Sequence, residues 1–448
     1  MEKRAYRVRI HTFGCQMNER DSETMAAALI RHGHTIAEDA VADVFIFNTC
    51  SVRDAAERKA IGQIERAIAM RQGGRFPIVG VAGCMAQRLR EQLFLRIHGL
   101  DFVLGTEQFH RIVEVLERIA MGETHVLCTD GNGDEKKTQV TERQWPCRRP
   151  SAFVNVCSGC PMRCSYCIVP QTRGRDRHRP MDDILTEVRQ LAECGTKEVV
   201  LLGQIVNLYG IRHIPFDNGK SPFVQLLEKI HDINGIERIQ FLSPHPCGFR
   251  EDLLRCYAEL PKLCQCVHLP IQSGSNRVLR AMNRGYTREK ILHILRQLRA
   301  QNPLIALSTD LIVGFPGETD EDFALTEQLF DEIDFDMAFV FKFSPREGTP
   351  AAKFPNQIAD VIAAERNQRL LRRLSVTSLR RHQAFLGSTQ QVLVKEPLRK
   401  ENNIFVGHSH FGKKVFFPAQ PEDVGKIIPV QITRASTAAL WGSPFGKC

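Results

Sequence analysis

Residues 152–167 read AFVNVCSGCPMRCSYC. A short apolar run of β-forming residues ends in a polar loop that carries Cys157, Cys160, Cys164 and Cys167. A run of this length and composition, closed by turn residues, predicts a buried strand. The residues downstream repeat the pattern. EVVLLGQ, RIQFLSP, QCVHLPI, LIALSTDLIVG and MAFVFKF read as further strands, separated by amphipathic helices such as DDILTEVRQLAECG and REKILHILRQLRAQ. Six strand–helix units predict a partial (βα)6 barrel of parallel strands over residues 151–374, short of a full eightfold barrel. In such folds chemistry gathers at the carboxyl ends of the strands, and the cysteine loop stands at the first of them.

Upstream, residues 6–122 alternate in the same way. YRVRIHTFG, DVFIFNTC, PIVGVAG and FVLG are strand-like, and helical patterns such as DSETMAAALIRHG and VRDAAERKAIGQIERAIAM lie between them. This predicts a small α/β domain with a doubly wound parallel sheet. Residues 123–150 are polar and lack apolar periodicity, which predicts a linker. Beyond the helical stretch AAERNQRLLRRLSVTSLRRHQAFLG, short β runs with turns between them predict a small all-β barrel over 378–442.

The bulk numbers narrow the setting. Hydrophobic residues are 43% and charged residues 25% of the 448, the balance of an ordinary globular protein. MEKRAYRVRI has no apolar run after its charges, and no window of eighteen apolar residues exists, so neither a signal peptide nor a membrane span is expected. Cytoplasmic residence follows as the expectation. Fifteen cysteines in such a chain point to metal or buried thiols rather than a disulfide scaffold. The net charge of +9 permits a polyanionic partner. The excess is steepest from Thr377 onward, where ten Lys/Arg face four Asp/Glu, and a small basic β-barrel suits nucleic acid. His408 and His410 share one face of a strand there and read as RNA contact or plain surface rather than metal.

Cys160, Cys164 and Cys167 form CxxxCxxC. Three thiolates in a short loop can each take one iron of a 4Fe–4S cubane and leave the fourth iron open to a substrate. A structural zinc site would call for a second, distant CxxC pair, which the sequence lacks. Cys157 is then a strand residue. In the first domain Cys15, Cys50 and Cys84 each stand where a strand stops. The carboxyl ends of neighbouring parallel strands share one rim, so these three can converge on a second cluster; three buried thiols are the alternative.

The motif at the end of a first barrel strand resembles that of the radical S-adenosylmethionine enzymes. The surrounding stretches extend the likeness to nearly the whole chain. TFGCQMNERDSETM, NTCSVRDAAERKA, VAGCMAQR, GCPMRCSYCIVPQTRGRDRHRP, LLGQIVNLYG, HLPIQSGSNRVLRAMNRGYT, DLIVGFPGETDEDF and FKFSPREGTPAA succeed one another as in the methylthiotransferases, and the last module resembles a TRAM domain. Ser158 and Ile205 depart from the family pattern, which usually has Glu and Asn there.

The resemblance implies two 4Fe–4S clusters, one on Cys160, Cys164 and Cys167 and one on Cys15, Cys50 and Cys84. It implies S-adenosylmethionine on the open iron of the first, with Tyr166 near the adenine. For the rest of that pocket the candidates are Gly203, Gln204, Ser243, His268, Gln272, Ser273, Asp310 and Gly314. CQMNERDSE and HLPIQSGS are most similar to the branch that places a methylthio group at C2 of N6-isopentenyladenosine, position 37 of tRNA. Threonylcarbamoyladenosine in tRNA and an aspartate of a ribosomal protein are the substrates of the other branches. A non-catalytic RNA-binding iron–sulfur protein is the alternative of another class. The implied partners are the tRNA anticodon stem-loop and an electron donor such as flavodoxin or ferredoxin, with no membrane, and the chain is expected to act as a monomer.

Overall fold

The computed structural model describes residues 4–38, 41–51, 54–71, 76–130, 149–398, 401 and 403–445. The chain divides into two compact units. One comprises Met1–Pro146, Ser158–Pro161 and Ile168–Arg179, and the other Cys147–Cys157, Met162–Cys167 and Pro180–Cys448.

The first unit is built on a six-stranded sheet. Arg7–Phe13 pairs with Val44–Thr49, which pairs in turn with Ile78–Gly83, then Phe102–Leu104 and Val126–Cys128, and the two-residue strand Thr35–Ile36 closes the other edge. Every pairing is parallel. A parallel sheet is covered on both faces, and the sequence shows it: all six residues of VFIFNT and all six of IVGVAG are buried. Separate apolar clusters lie on the two faces. One is built around Met25, Leu29, Ile46 and Leu116, the other around Phe47, Ile64, Met85 and Leu93. Val126–Cys128 falls inside the stretch expected to be a linker, and residues 131–148 of that stretch lie outside the described residues.

The second unit carries the partial barrel. Ser151–Asn155, Glu198–Leu202 and Arg238–Phe241 form one parallel sheet, and Cys266–His268, Ala306–Val313 and Met337–Lys342 form another. A parallel bridge between Ile239 and Leu263 joins them, so six strands run in chain order around one arc. One continuous core fills it, with Tyr209, Phe223, Phe323, Phe330 and Phe335 among its largest members.

The helix Asp360–Gln383 carries the chain out of the arc. Strands Thr389–Pro397, Ile404–Ser409, Lys414–Pro418, Ile427–Ala435 and Leu440–Pro444 then close into a barrel. The helix therefore continues through residue 378, where the all-β module was expected to begin. The small barrel docks against the amino ends of the large barrel's strands. Lys395 pairs with Glu198, and Arg238 donates to the backbone carbonyls of His408 and Gln391, each at 2.6 Å. Lys413, Arg299 and Arg381 converge on Asp336. His408 and His410 are thus part of a buried joint. Burial pushes both imidazoles down, His410 to about 4.

Candidate active site

On the first sheet Phe13 lies opposite Thr49, and Thr49 opposite Gly83. Cys15, Cys50 and Cys84 come within two residues of those positions, so three thiols separated in sequence share one rim. Cys15 is exposed, whereas Cys50 and Cys84 are buried. The turn is tight enough to need Gly14: its φ is +153°, and a Cβ would lie 2.8 Å from Cys50 Cβ. Behind the rim, Asn18 donates from Nδ2 to Asn48 Oδ1 at 3.1 Å, and Asn48 Nδ2 donates back to Asn18 O at 2.8 Å. The Cys15 thiol donates to Asn18 Oδ1 at 3.3 Å.

The electrostatics of the rim divide its thiols. A hydrogen bond with Cys50 and, less strongly, the charge of Arg173 bring the Cys15 thiol down to about 6. Burial pushes Cys84 up, with Arg173 opposing. Arg173 closes the helix Val169–Arg173, which belongs to the first unit although it comes after the CxxxCxxC loop in sequence. Its Nη2 lies 2.6 Å from Asp21 Oδ2, and both side chains are largely buried. Among the described residues no three His, Cys, Asp or Glu side chains gather closely enough for a single metal ion. A cubane, with one iron per thiolate, does not require that. Three thiols with a fixed cation beside them fit such a cluster.

In the second unit Cys157 is 3% exposed and belongs to the barrel core. A Cβ on Gly203 would run into its sulfur. Cys157 is therefore packing, and Gly203 is glycine because Cys157 needs the space. Cys164 is buried and Cys167 half-buried; Cys160, half-buried as well, is counted with the first unit. The segment 281–284 clasps the loop around Cys164. Ser165 N–H donates to Met282 O at 3.0 Å, Ser165 Oγ to Ala281 O at 2.8 Å, and Asn283 Nδ2 to Arg163 O at 2.8 Å. Arg284 Nη1 donates to Cys164 Sγ at 3.2 Å.

The other expected pocket residues divide. Tyr166 packs with Val278, Met282, Phe315 and Ala351, and burial pushes its phenol well up. Gln204 Oε1 is a buried acceptor with no partner, as expected of a group awaiting a polar ligand. Ser243 and Gln272 hold left-handed backbone, at φ +58° and +76°, at the carboxyl ends of their strands. His268 Nδ1 bonds to Ser308 Oγ at 3.0 Å, and its Nε2 lies 3.4 Å from Asp310 Oδ2. Ser273 does not join them. It is fully buried, lies 3.4 Å from Thr326 Oγ1 and accepts from Ser275 N–H at 3.1 Å, so its hydroxyl is spent on holding a loop to a helix. Gly314 is likewise explained by packing. It sits at φ +72°, with Ala363 Cβ 2.6 Å from where a Cβ would be, and its N–H donates to Glu318 Oε2 at 2.7 Å.

Arg173, Asp21, Asn18 and Arg284 were not among the expected site residues. All four lie within the stretches CQMNERDSE, GRDRHRP and AMNRGYT or directly beside them, and a cation fixed beside a cysteine motif is the signal that would have raised the two arginines.

Comparison with known proteins places these features in context. Residues 154–330 match the model of the radical SAM superfamily, residues 383–445 that of the TRAM domain, and residues 7–105 that of the uncharacterized protein family UPF0004. The chain is 45% identical over 465 residues to the tRNA-2-methylthio-N(6)-dimethylallyladenosine synthase of Opitutus terrae, covering 97% of each. It is 41% identical to the enzyme of the same name from Akkermansia muciniphila, covering 97% of this chain and 98% of that one. Among solved structures it resembles the radical S-adenosylmethionine methyltransferase TsrM of Kitasatospora setae, with a TM-score of 0.59, 16% identity, and coverage of 77% of this chain and 74% of that one. That likeness is one of fold.

Proposed function

We infer the reaction from the premise that the chain belongs to the tRNA-2-methylthio-N(6)-dimethylallyladenosine synthase family. It is a radical S-adenosylmethionine enzyme that methylthiolates N6-dimethylallyladenosine (isopentenyladenosine) in tRNA, using 4Fe–4S clusters and S-adenosylmethionine. The near-complete coverage at 45% identity carries this conclusion.

The finer assignment is ours. Cys160, Cys164 and Cys167 hold the cluster that binds S-adenosylmethionine, and Cys15, Cys50 and Cys84 hold an auxiliary cluster. When bound, the first group supplies the electron that cleaves S-adenosylmethionine and the second supplies the sulfur. Around them the chain binds, orients and excludes water. Tyr166 and its apolar neighbours form a wall suited to adenine, while Gln204 offers an unspent acceptor. His268 and Asp310 present polar groups inside the arc. Arg173, anchored by Asp21, keeps a positive charge beside the auxiliary thiolates.

Position 37 lies in a loop, where extruding a base costs less than in a duplex. A flavodoxin or ferredoxin as electron donor, a monomeric state and a cytoplasmic setting complete the proposal. So does the domain division 6–122, 123–150, 151–374 and 378–442. Among the described residues no helix is long and apolar enough to cross a membrane.

Anaerobic reconstitution should load about eight irons per chain. Replacing Cys160, Cys164 and Cys167 by Ala should remove half of them and all S-adenosylmethionine cleavage, and replacing Cys15, Cys50 and Cys84 should remove the other half and spare cleavage. Mass spectrometry of nucleosides should show methylthiolation of isopentenylated tRNA and very little on the same tRNA without that arm. Removing the whole arm forfeits several contributions of roughly 1–3 kcal/mol per methylene. Turnover on threonylcarbamoylated tRNA or the ribosomal protein, with none on isopentenylated tRNA, would overturn the substrate.

A further inference from the structure

Arg284 is 8% exposed, as is Cys164. Its guanidinium has three engagements. Nε donates to Tyr286 Oη at 2.7 Å, Nη2 to Pro270 O at 3.2 Å, and Nη1 to Cys164 Sγ at 3.2 Å. Tyr286 in turn donates to Ile271 O at 2.9 Å, which fixes the ring that fixes the arginine. Of the other buried arginines of this unit, Arg366 has Glu318, and Arg238 has the backbone carbonyls of His408 and Gln391. Among the described residues no carboxylate forms an ion pair with Arg284; the groups beside it are the phenols of Tyr166 and Tyr286, which burial keeps neutral, and the sulfur of Cys164.

A buried guanidinium without an acid is costly unless another anion is its counter-charge. Its geometry addresses the sulfur of a motif cysteine, which is anionic once it ligates iron. Three thiolates and a cubane carry net negative charge, and one-electron reduction adds another unit. A fixed cation and an N–H donor at a ligand sulfur favour the more negative state, and hydrogen bonds to cluster sulfurs are a recognised control of potential.

We propose that Arg284, held by Tyr286 and Pro270, is a positioning residue that raises the reduction potential of the cluster on Cys160, Cys164 and Cys167. This rests on the assignment of that cluster given above. Cleavage of S-adenosylmethionine needs the reduced cluster, so Arg284 determines how readily a weak physiological reductant can start the reaction. Ser165 and Asn283 hold the loop backbone on either side, which leaves the Arg284 contact to act on the sulfur rather than on the fold.

The test uses the full chain with Cys15, Cys50 and Cys84 replaced by Ala, so that one cluster is read. The reconstituted protein is titrated with dithionite and followed by electron paramagnetic resonance. R284M removes charge and donor; R284Q removes the charge and keeps an N–H. The reduced state should be disfavoured at least tenfold in R284M, a shift of 59 mV to lower potential for one electron. R284Q should shift less, and iron content should stay at the parent level. The change of the reduced signal on adding S-adenosylmethionine should persist, since the open iron is untouched. Full iron loading with an unshifted potential in both variants would overturn the proposal. So would loss of iron from both, which would make Arg284 part of the clasp alone. If the parent protein still loads iron when Cys160, Cys164 and Cys167 are replaced, the cluster assignment itself fails, independently of Arg284.

Discussion

Cys157 and Gly203 show how much one atom decides. The thiol stands three residues from the first cysteine of CxxxCxxC, yet it is core, and the glycine opposite has no room for a methyl group beside it. Gly203→Ala should destabilise the chain by about 1–3 kcal/mol, the usual cost of overpacking. Adding Cys157→Ala should recover most of that stability, because the clashing sulfur is gone. Urea denaturation of the four members of the cycle measures the coupling, and additive effects would refute the clash. Cys157→Ala alone should leave the iron content intact. At this scale the sequence was legible where chemistry follows chain order. Cys160, Cys164 and Cys167 share a loop, and Cys15, Cys50 and Cys84 sit where apolar runs end. Arg284 and Ser273 were not legible. Which polar side chain meets which sulfur, and which hydroxyl turns instead to a neighbouring helix, is settled by tertiary packing, and a polar residue near a strand end reads the same in either case.

The turn at 314–319 and the helix Asp360–Gln383 are held together by a buried ion pair. Glu318 is fully buried at its side chain and meets Arg366 at 2.7 Å, and Arg366 also reaches Asp320 at 2.8 Å. Arg366→Met would strand the carboxylate, at a cost of roughly 3–5 kcal/mol. Arg366→Met with Glu318→Gln should be milder than Arg366→Met alone; equal destabilisation in chemical denaturation would mean that the pair contributes nothing. The next helix, Asp320–Ile333, starts with a capping box between Thr319 and Asp322, a pattern readable in GETDEDF. Elements of this kind were legible because caps and apolar periods are local. Val126–Cys128 was not: three residues in polar surroundings carry too little pattern, and only the open edge beside Phe102–Leu104 makes them a strand.

For the molecule as a whole, the small barrel's joint predicts a response to acid. His408 and His410 stay neutral in the fold well below their ordinary 6.5, His410 to about 4. Between those values the unfolded chain binds more protons than the folded one, so stability falls as pH drops from about 6.5 toward 4. Melting at pH 7 and pH 5 should show this slope, and H408Q/H410Q should flatten it; an unchanged slope would remove the histidines from the account. On the outer wall Lys414 stands over Phe416, and Arg434 lies 3.9 Å from the ring centre of Trp441. Both cations are exposed. K414E/R434E should raise KM for tRNA and leave kcat alone. It should also flatten the salt dependence of binding by roughly 0.7–0.9 in the logarithmic slope for each phosphate no longer neutralised. A fall in kcat with unchanged KM would place these residues in another role. That the last module is basic and β-built was plain from its sequence. That it seats on strand beginnings was not, because Glu198, Arg238 and Asp336 announce no partner across 77 to 197 residues of chain.

This seat bears on inheritance. The module grips the barrel where strands start, by one lysine to Glu198, another to Asp336, and two carbonyls facing Arg238. The residues proposed to hold the S-adenosylmethionine cluster lie where strands finish, roughly 20 Å away across a wall about six residues high. A recombination event that exchanged the module could thus change which polymer is recruited and leave the reacting groups undisturbed, provided those few attachments survived. Reach and reaction can be selected separately in this architecture. A lineage that changed its recruited polymer in this way would keep Glu198, Arg238 and Asp336 while the outer wall of its small barrel drifted.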